Sequence, residues 1–163
     1  MNIEKNILQL RKAELLNSIL EYSKLLNVQY NFVVAYKGKT ENISLTFKKE
    51  NSFHLLGLHY LKDVRYPTKN KEDIFDIILN KDSFREKIAS SKHYDEIKSR
   101  IVAVSRIADI IENDSTALYR FVDKGSNIKA DYMFKFNDAS LKEPIFFYIQ
   151  REKSTENTYT YSL

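Results

Sequence analysis

The feature that most constrains the fold is a change in hydrophobic period along the chain. Residues 128–136 place an apolar side chain at every second position, which predicts a β-strand with one buried face. The same alternation on both sides of a Lys-Gly-Lys turn predicts a β-hairpin over 28–48. Residues 3–26 instead repeat apolar side chains at helical spacings, between lysines and glutamates. The chain therefore has to combine an amphipathic helix with antiparallel strands.

The segments between and after these elements complete the pattern. Residues 53–62 are almost wholly apolar and predict a buried helix, for which Ser52 supplies a hydroxyl N-cap. The other elements predicted are helices at 72–79, from Ser83 in a capping box and at 94–112, and strands at 117–122, 145–149 and 158–163. The fold class predicted is α+β, a helical N-terminal half packed on a largely antiparallel β-sheet. We expect one domain over 1–163, in which an N-terminal helix (1–27) precedes a core of 28–163.

Composition excludes several classes of protein. Because the chain has no cysteine, disulfides and thiolate chemistry are ruled out. No run of about 18 apolar residues occurs, and the first turns of the N-terminal helix alternate charge with leucine and isoleucine, so we expect neither a membrane span nor a signal peptide. A cytoplasmic protein with no membrane contact is expected. The net charge of +4 favours an encounter with RNA, but many proteins with no nucleic-acid role are this basic.

The 53–62 segment holds two of the three histidines and one of the three glycines. Gly57 in an apolar helix predicts close approach by a neighbour. His54 and His59 would lie about 140° apart on a continuous helix, which is not the spacing of a helical zinc pair. We therefore expect no metal and no cofactor. The structural alternative for each histidine is a partly buried ring satisfied by a backbone carbonyl, and this is the reading we expect for His59.

The segment Phe-His-Leu-Leu-Gly-Leu-His follows a predicted hairpin and precedes a long helix and Tyr/Phe-rich strands. In this order it resembles the phage-associated branch of the barnase/EndoU/colicin/RelE-like (BECR) ribonuclease superfamily, over most of 28–163. The resemblance implies a small α+β domain, and many such domains are predicted metal-independent RNases. In such an enzyme the RNA 2′-OH attacks the adjacent phosphate, which requires a base, an acid and fixed cations.

His54 is the expected general base. It matches the family motif, and it is predicted at the start of its helix, where amide dipoles attract phosphate and lower the pKa of a histidine. Arg120 is the expected cationic partner, because its strand is predicted to turn Tyr119 and Phe121 inward and leave Arg120 on the other face. The alternative for Arg120 is a solvated surface arginine.

Two further groups complete the candidate site. Active-site hydroxyls recur in RNases of the superfamily, which makes three residues of the late strands candidates: Tyr148, Thr160 and Ser162. A basic loop after the histidine segment is expected to bind RNA phosphates, and its cations are Lys62, Arg65, Lys69 and Lys71. Such a charge run is also typical of a merely solvated loop.

Two functions are consistent with these observations. The leading hypothesis is a small metal-independent endoribonuclease of phage or mobile-element origin, acting as a toxin or host-takeover factor in the cytoplasm of a bacterial host. Its partners would be RNA and a host, antitoxin or immunity protein. The alternative is a non-catalytic phage protein that uses the same fold to bind a host protein or nucleic acid, as an anti-defence or regulatory module.

Overall fold

A computed structural model describes residues 3–113, 117–121, 125, 130–137, 144–151 and 158–161. Ser162 and residues 128–129 lie outside these ranges. The helices are α1 (Ile3–Leu25), α2 (Lys49–Leu55), α3 (Lys71–Asn80), α4 (Asp82–Ala89), α5 (Tyr94–Val104) and α6 (Ile107–Glu112), with a short 3₁₀ helix at Leu58–Tyr60. The strands are β1 (Gln29–Tyr36), β2 (Lys39–Thr46), β3 (Ala117–Arg120), β4 (Tyr132–Phe136), β5 (Ile145–Arg151) and β6 (Thr158–Tyr161). The predicted α+β class is confirmed. None of the helices in the described ranges is both long and apolar enough to cross a membrane.

The chain divides into two compact units. We call residues 1–24 with 49–107 the helical unit, and residues 25–48 with 108–163 the sheet unit. The helical unit holds nearly all of α1 together with α2 to α5, and the sheet unit holds the six strands and most of α6.

The helical unit is built on the amphipathic face of α1. Leu15, Ile19 and Tyr22 are fully buried, and their spacings of four and three residues place them on one side of the helix. The Tyr22 ring packs against Phe75 of α3, with 6.0 Å between the ring centroids. On the polar side, Lys12 donates a hydrogen bond of 2.7 Å to Asp82 at the start of α4. These contacts fix α3 and α4 against α1.

Two helix boundaries differ from the prediction. The expected helix over 94–112 ends at Val104 and α6 begins at Ile107, because the amide of Arg106 bonds the carbonyl of Ala103 in a tightened last turn. The capping box at Ser83 is also wrong, since α4 begins at Asp82 and Lys81 is the N-cap.

The sheet unit contains one six-stranded sheet in the order β1-β2-β6-β5-β4-β3. Neighbouring strands are antiparallel except β2 and β6, which run parallel. The predicted hairpin is confirmed in a register that pairs Tyr36 with Lys39. Its two-residue loop has positive φ at both Lys37 (47°) and Gly38 (73°), the geometry of a type I′ turn, which matches the twist of the flanking strands.

The sheet is strongly curved. In a flat sheet β1 and β4, four strands apart, would be separated by about 19 Å. The rings of Phe32 on β1 and Phe134 on β4 instead lie 5.5 Å apart, so the strands curl around a shared apolar interior. Tyr132, Phe134 and Phe136 are all buried along β4, as the alternation of 128–136 predicted.

Candidate functional site

The predicted helix at 53–62 is interrupted at Gly57. Helix α2 ends at Leu55, and Gly57 adopts φ = +74°, a left-handed conformation that ends helices and favours glycine. A Cβ at this position would lie 2.7 Å from Cδ of Arg100 and 3.0 Å from Cγ2 of Ile97. The close approach predicted at this glycine is confirmed, but its position in mid-helix is wrong.

The break changes the roles of Ser52 and His54. Ser52 is not an N-cap: it is buried within α2, and its hydroxyl donates to the carbonyl of Lys49 at 2.7 Å. His54 lies in the last turn of α2 instead of the first. The predicted contribution of the helix dipole to its pKa is therefore wrong, because the C-terminal end of a helix favours a cation.

The turn at Gly57 also brings the two histidines together. Their ring centroids are 5.1 Å apart, although a continuous helix would have directed them to different faces. His54 is half-buried and His59 is exposed, with its ring centroid 4.1 Å from that of Tyr60. The prediction of a partly buried His59 ring satisfied by a backbone carbonyl is wrong, since the residue is exposed beyond the helix break.

Lys71 is the cation in direct contact with these rings. Its Nζ donates to Nε2 of His54 at 2.6 Å. An ammonium group has only donors, so Nε2 must accept and the proton of the neutral ring is on Nδ1. Lys71 is the first residue of α3, and the helix start is fixed by the side chain of Asn70, which accepts a hydrogen bond from the amide of Glu72 at 3.0 Å.

The pKa of each histidine is lowered. Burial is the larger cause for His54, and the charge of Lys71 adds to it. For His59, whose ring is exposed but partly desolvated, desolvation again comes first; the positive charges of protonated His54, Arg100 and Lys71 follow. The predicted direction for His54 is correct, although its cause is desolvation and a lysine. Both rings are therefore held in the neutral form near pH 7.

Arg100 completes the cluster from α5. Its guanidinium carbon lies 5.2 Å from the centroid of the Tyr60 ring, and its Nη1 is 3.5 Å from the carbonyl oxygen of His54. The buried Ile97 and Ile101 anchor this side of α5 and so hold Arg100 over Gly57. We call His54, His59, Lys71 and Arg100 the histidine cluster. Reasoning from the sequence missed Arg100, and the only signal for it was the close approach implied by Gly57.

The basic loop is fixed beside this cluster. Tyr66 donates to the carbonyl of Leu58 at 2.7 Å, and Asp63 accepts from the hydroxyl of Ser91 at 2.6 Å. Four cations were predicted to bind RNA. Lys71 is hydrogen-bonded to His54, and the other three are exposed: Lys62, Arg65 and Lys69. Across the described part of the chain no three His, Asp or Glu residues are grouped as metal ligands.

The other predicted residues belong to the sheet unit. Arg120 is exposed at the end of β3 and pairs in register with Tyr132. The orientation predicted for Tyr119 is wrong: the side chain is 47% exposed, because the edge strand β3 leaves it uncovered. Tyr148 is half-buried on β5 against Phe121, with 5.3 Å between the ring centroids.

The C-terminal candidates are only partly described. The backbone of Thr160 in β6 lies between Thr46 of β2 and Gln150 of β5, which makes β6 an interior strand. Ser162 lies outside the described residues.

A polar group that the sequence did not reveal lies on the sheet. The carboxylate of Glu41 on β2 accepts hydrogen bonds from the Tyr132 hydroxyl and, at 2.8 Å, from Nη2 of Arg151. Arg120 and Glu41 both line a cavity of about 520 Å³ in the sheet unit. The structure thus groups His54 with Lys71 in one unit, and Arg120 with Glu41 in the other.

Comparison with known proteins identifies the family. A family model described as phage-Barnase-EndoU-ColicinE5/D-RelE like nuclease4 (PBECR4) matches residues 14–162. Neither the curated proteins nor the solved structures contain a significant match to the chain. The matched range includes the histidine cluster and every strand of the sheet. The chain therefore belongs to this phage-associated, BECR-like nuclease family.

Proposed function

We propose that the protein is a metal-independent endoribonuclease whose chemistry takes place at the histidine cluster. The observation that carries the proposal is the pair of neutral imidazoles, His54 and His59, whose ring centroids lie 5.1 Å apart beside Lys71 and Arg100. Membership of a nuclease family supplies the reaction class. The cluster supplies an acid–base pair and fixed positive charge, which are the two requirements of RNA cleavage through its own 2′-OH.

His54 is the general base. In the free protein the Nε2 lone pair of His54 accepts a hydrogen bond from the Lys71 ammonium. A phosphate in the cluster attracts that ammonium, and the shift of the hydrogen bond to a phosphate oxygen leaves Nε2 able to take the 2′-OH proton. The 2′ oxygen then forms a bond to phosphorus while the bond from phosphorus to the 5′ oxygen breaks. The products are a 2′,3′-cyclic phosphate and a 5′-hydroxyl end.

His59 is the general acid that protonates the departing 5′ oxygen. Its pKa is lowered by partial desolvation and by neighbouring cations in the free protein. An anionic phosphate offsets those cations and so raises the proton affinity of the ring when substrate is bound. Lys71 and Arg100 stabilise the additional negative charge of the phosphorane, and the electrostatic role often given to a metal ion is then filled by side chains.

The basic loop positions the RNA strand. The exposed Lys62, Arg65 and Lys69 follow the histidine segment directly, and contacts of this kind fix register on a phosphate backbone without reading sequence. Tyr66 and Asp63 anchor the loop by hydrogen bonds, which reduces the entropy lost when the strand binds. In this role the cations contribute mainly to affinity.

Membership of a phage-associated nuclease family also supports a proposal for the biological setting. In this proposal the protein acts on host RNA as a toxin or host-takeover factor in the bacterial cytoplasm, and a host, antitoxin or immunity protein restrains it. One observation favours the alternative of a non-catalytic binding protein: Lys71 occupies the lone pair that the base needs. The endoribonuclease and the binding protein are distinguished by whether RNA fragments appear and by the chemical groups at their ends.

The test is incubation of the purified protein with total RNA in excess EDTA, followed by analysis of the new ends. The proposal predicts fragments that carry 2′,3′-cyclic phosphates and 5′-hydroxyls. RNA that stays intact both with and without divalent ions would support the binding protein. Cleavage that requires a divalent ion, or 5′-phosphate ends, would mean a different mechanism.

A further inference from the structure

Helix α1 has an apolar stripe on the side opposite its own core. Ile3, Leu10 and Leu20 lie on this stripe, and their side chains are 73%, 57% and 43% exposed. At 3.6 residues per turn the stripe is about 180° from the face that buries Leu15 and Ile19. One side of α1 therefore packs within the helical unit, whereas the other is not covered by the described part of the chain.

The stripe has the spacing of a coiled-coil seam. Its exposed residues follow one another at alternating intervals of three and four: Ile3, Asn6, Leu10, Ala13, Asn17 and Leu20. A mean interval of about 3.5 residues is the heptad repeat, in which these six residues occupy successive a and d positions. We call them the α1 seam. Their side chains are apolar or carry an uncharged amide, and charged residues are likewise depleted at the centre of protein interfaces.

The first turns of α1 need a partner for their apolar side chains. Half of residues 3–10 are apolar, yet none of residues 3–10 is buried. Helices in proteins are stabilised mainly by the packing of an apolar face, and a partner on the α1 seam would supply that packing. The matched family model starts at residue 14, so this half of the seam is a feature of this chain and precedes the matched range.

The α1 seam is complementary to itself when two copies run antiparallel. With a two-fold axis between residues 11 and 12, each seam residue of one copy lies opposite a different seam residue of the other. The opposed pairs are Ile3 with Leu20, Asn6 with Asn17 and Leu10 with Ala13. The two asparagine amides can donate to and accept from each other, and the large Leu10 is matched by the small Ala13. Each layer is therefore filled, and each buried amide has a partner.

A parallel pairing of the same seam is less favourable. It places each residue opposite its own copy, so Ala13 meets Ala13 and leaves a gap beside the layer of Leu10. It also brings the exposed Lys24, at the next a position, against Lys24 of the second copy, and it aligns the two helix dipoles. The seam therefore favours the antiparallel orientation.

We propose that the protein forms a homodimer in which the α1 seams of two copies pack antiparallel. Helix α1 has 23 residues and is about 35 Å long. Two such helices in contact along their length bury on the order of 1,000 Å² in total, near the smallest area of a specific interface, so the dimer is weak, with a dissociation constant of about 1–100 µM. The dimer needs no residue of the histidine cluster and goes beyond the proposed cleavage reaction.

The first test is sedimentation equilibrium of the full chain from about 1 to 200 µM, a range that brackets the expected dissociation constant. The mass should rise from that of one copy toward that of two. Leu10→Glu should weaken association by at least about 100-fold, because each dimer would bury two unpaired carboxylates. Val33→Glu is the matched control and should leave association unchanged, since Val33 is a 72% exposed apolar residue on β1 and not on the helix. Circular dichroism at the lowest concentration checks that both variants are folded.

The second test uses disulfide formation to determine the orientation of the helices, because the chain has no cysteine of its own. Under oxidation, a mixture of the Asn6→Cys and Asn17→Cys proteins should give a dimer that links one variant to the other, whereas neither variant should link to itself. This test does not depend on the folding of Leu10→Glu. A linked dimer formed by Asn17→Cys alone would mean parallel pairing and would overturn the proposal. A wild-type protein that stays monomeric at every concentration, or association that Leu10→Glu leaves unchanged, would overturn it as well.

Discussion

The hydrogen bond of 2.6 Å from Nζ of Lys71 to Nε2 of His54 joins the first residue of α3 to the last turn of α2. It places an ammonium against an imidazole with no carboxylate between them, and such a contact is stable only while the ring is neutral. The histidine thus rests in the protonation state that a general base needs, and Lys71 has to move before His54 can act.

Replacing Lys71 tests this relationship. Lys71→Met keeps the length of the side chain and removes the charge that lowers the pKa of His54, so the pKa should rise toward its ordinary value of about 6.5. An NMR titration of the His54 ring measures the change. Lys69→Met is the control, because Lys69 is an exposed cation of the same loop. An unchanged His54 pKa in Lys71→Met would show that the contact does not exist in solution.

The Lys71→Met variant should also separate the effect of Lys71 on the His54 pKa from its effect on the phosphorane. If Lys71 also stabilises the phosphorane, RNA cleavage should fall in Lys71→Met even at a pH where His54 is fully neutral. The acidic limb of the pH–rate profile should move to higher pH, following the His54 pKa. Lower activity with an unmoved acidic limb would assign Lys71 to phosphate binding alone.

The stability of the protein should depend on pH through both histidines. Their pKa values are lowered in the folded protein, so the unfolded chain binds more protons as the pH falls below about 6.5. The free energy of unfolding should therefore be constant above about pH 7 and decrease toward pH 5. Denaturant titrations at several pH values measure it, and the His54→Gln/His59→Gln double variant should lose much of this decrease. An equal slope in both proteins would contradict the lowered pKa values.

Replacing Gly57 by alanine should destabilise the protein by more than the strain of its left-handed backbone alone. Gly57 and Gly38 have nearly equal φ values of +74° and +73°, so alanine at either position bears a strain of about 1–2 kcal/mol. A Cβ at Gly38 meets nothing within 4 Å, whereas one at Gly57 would lie 2.7 Å from Cδ of Arg100. Gly57→Ala should therefore lower the melting temperature more than Gly38→Ala and also reduce RNA cleavage. Equal changes in melting temperature would mean that Arg100 does not pack over this glycine.

The sheet was predictable because its signal is local. The alternation in β4 and in the hairpin follows from which face each side chain occupies, and the loop at Lys37 and Gly38 has the length that joins two antiparallel strands. An apolar side chain at every second position is compatible with few structures other than a strand. Those strands could therefore be predicted without knowing which elements pack against them.

The histidine cluster was only half predictable. A glycine in an apolar run is compatible both with a continuous helix and with a left-handed break, and the choice here depends on Arg100 and Ile97, which lie some forty residues away in the sequence. The prediction for His59 was wrong for this reason, since the helix ends before it and its exposed ring lies 5.1 Å from that of His54. The Glu41–Arg151 pair joins strands still more distant in the chain, and no spacing in the sequence indicates it.

The central claim is that His54 and His59 act together as base and acid. RNA cleavage in EDTA should be compared, per folded molecule, among the wild-type protein, His54→Gln, His59→Gln and His93→Gln. The third histidine is the matched control, because His93 lies in the helical unit and contacts Glu96 at 2.6 Å, outside the cluster.

The account predicts that His54→Gln and His59→Gln each reduce the cleavage rate by about 10²–10⁴-fold, whereas His93→Gln leaves it unchanged. Small and equal effects of all three substitutions would contradict it.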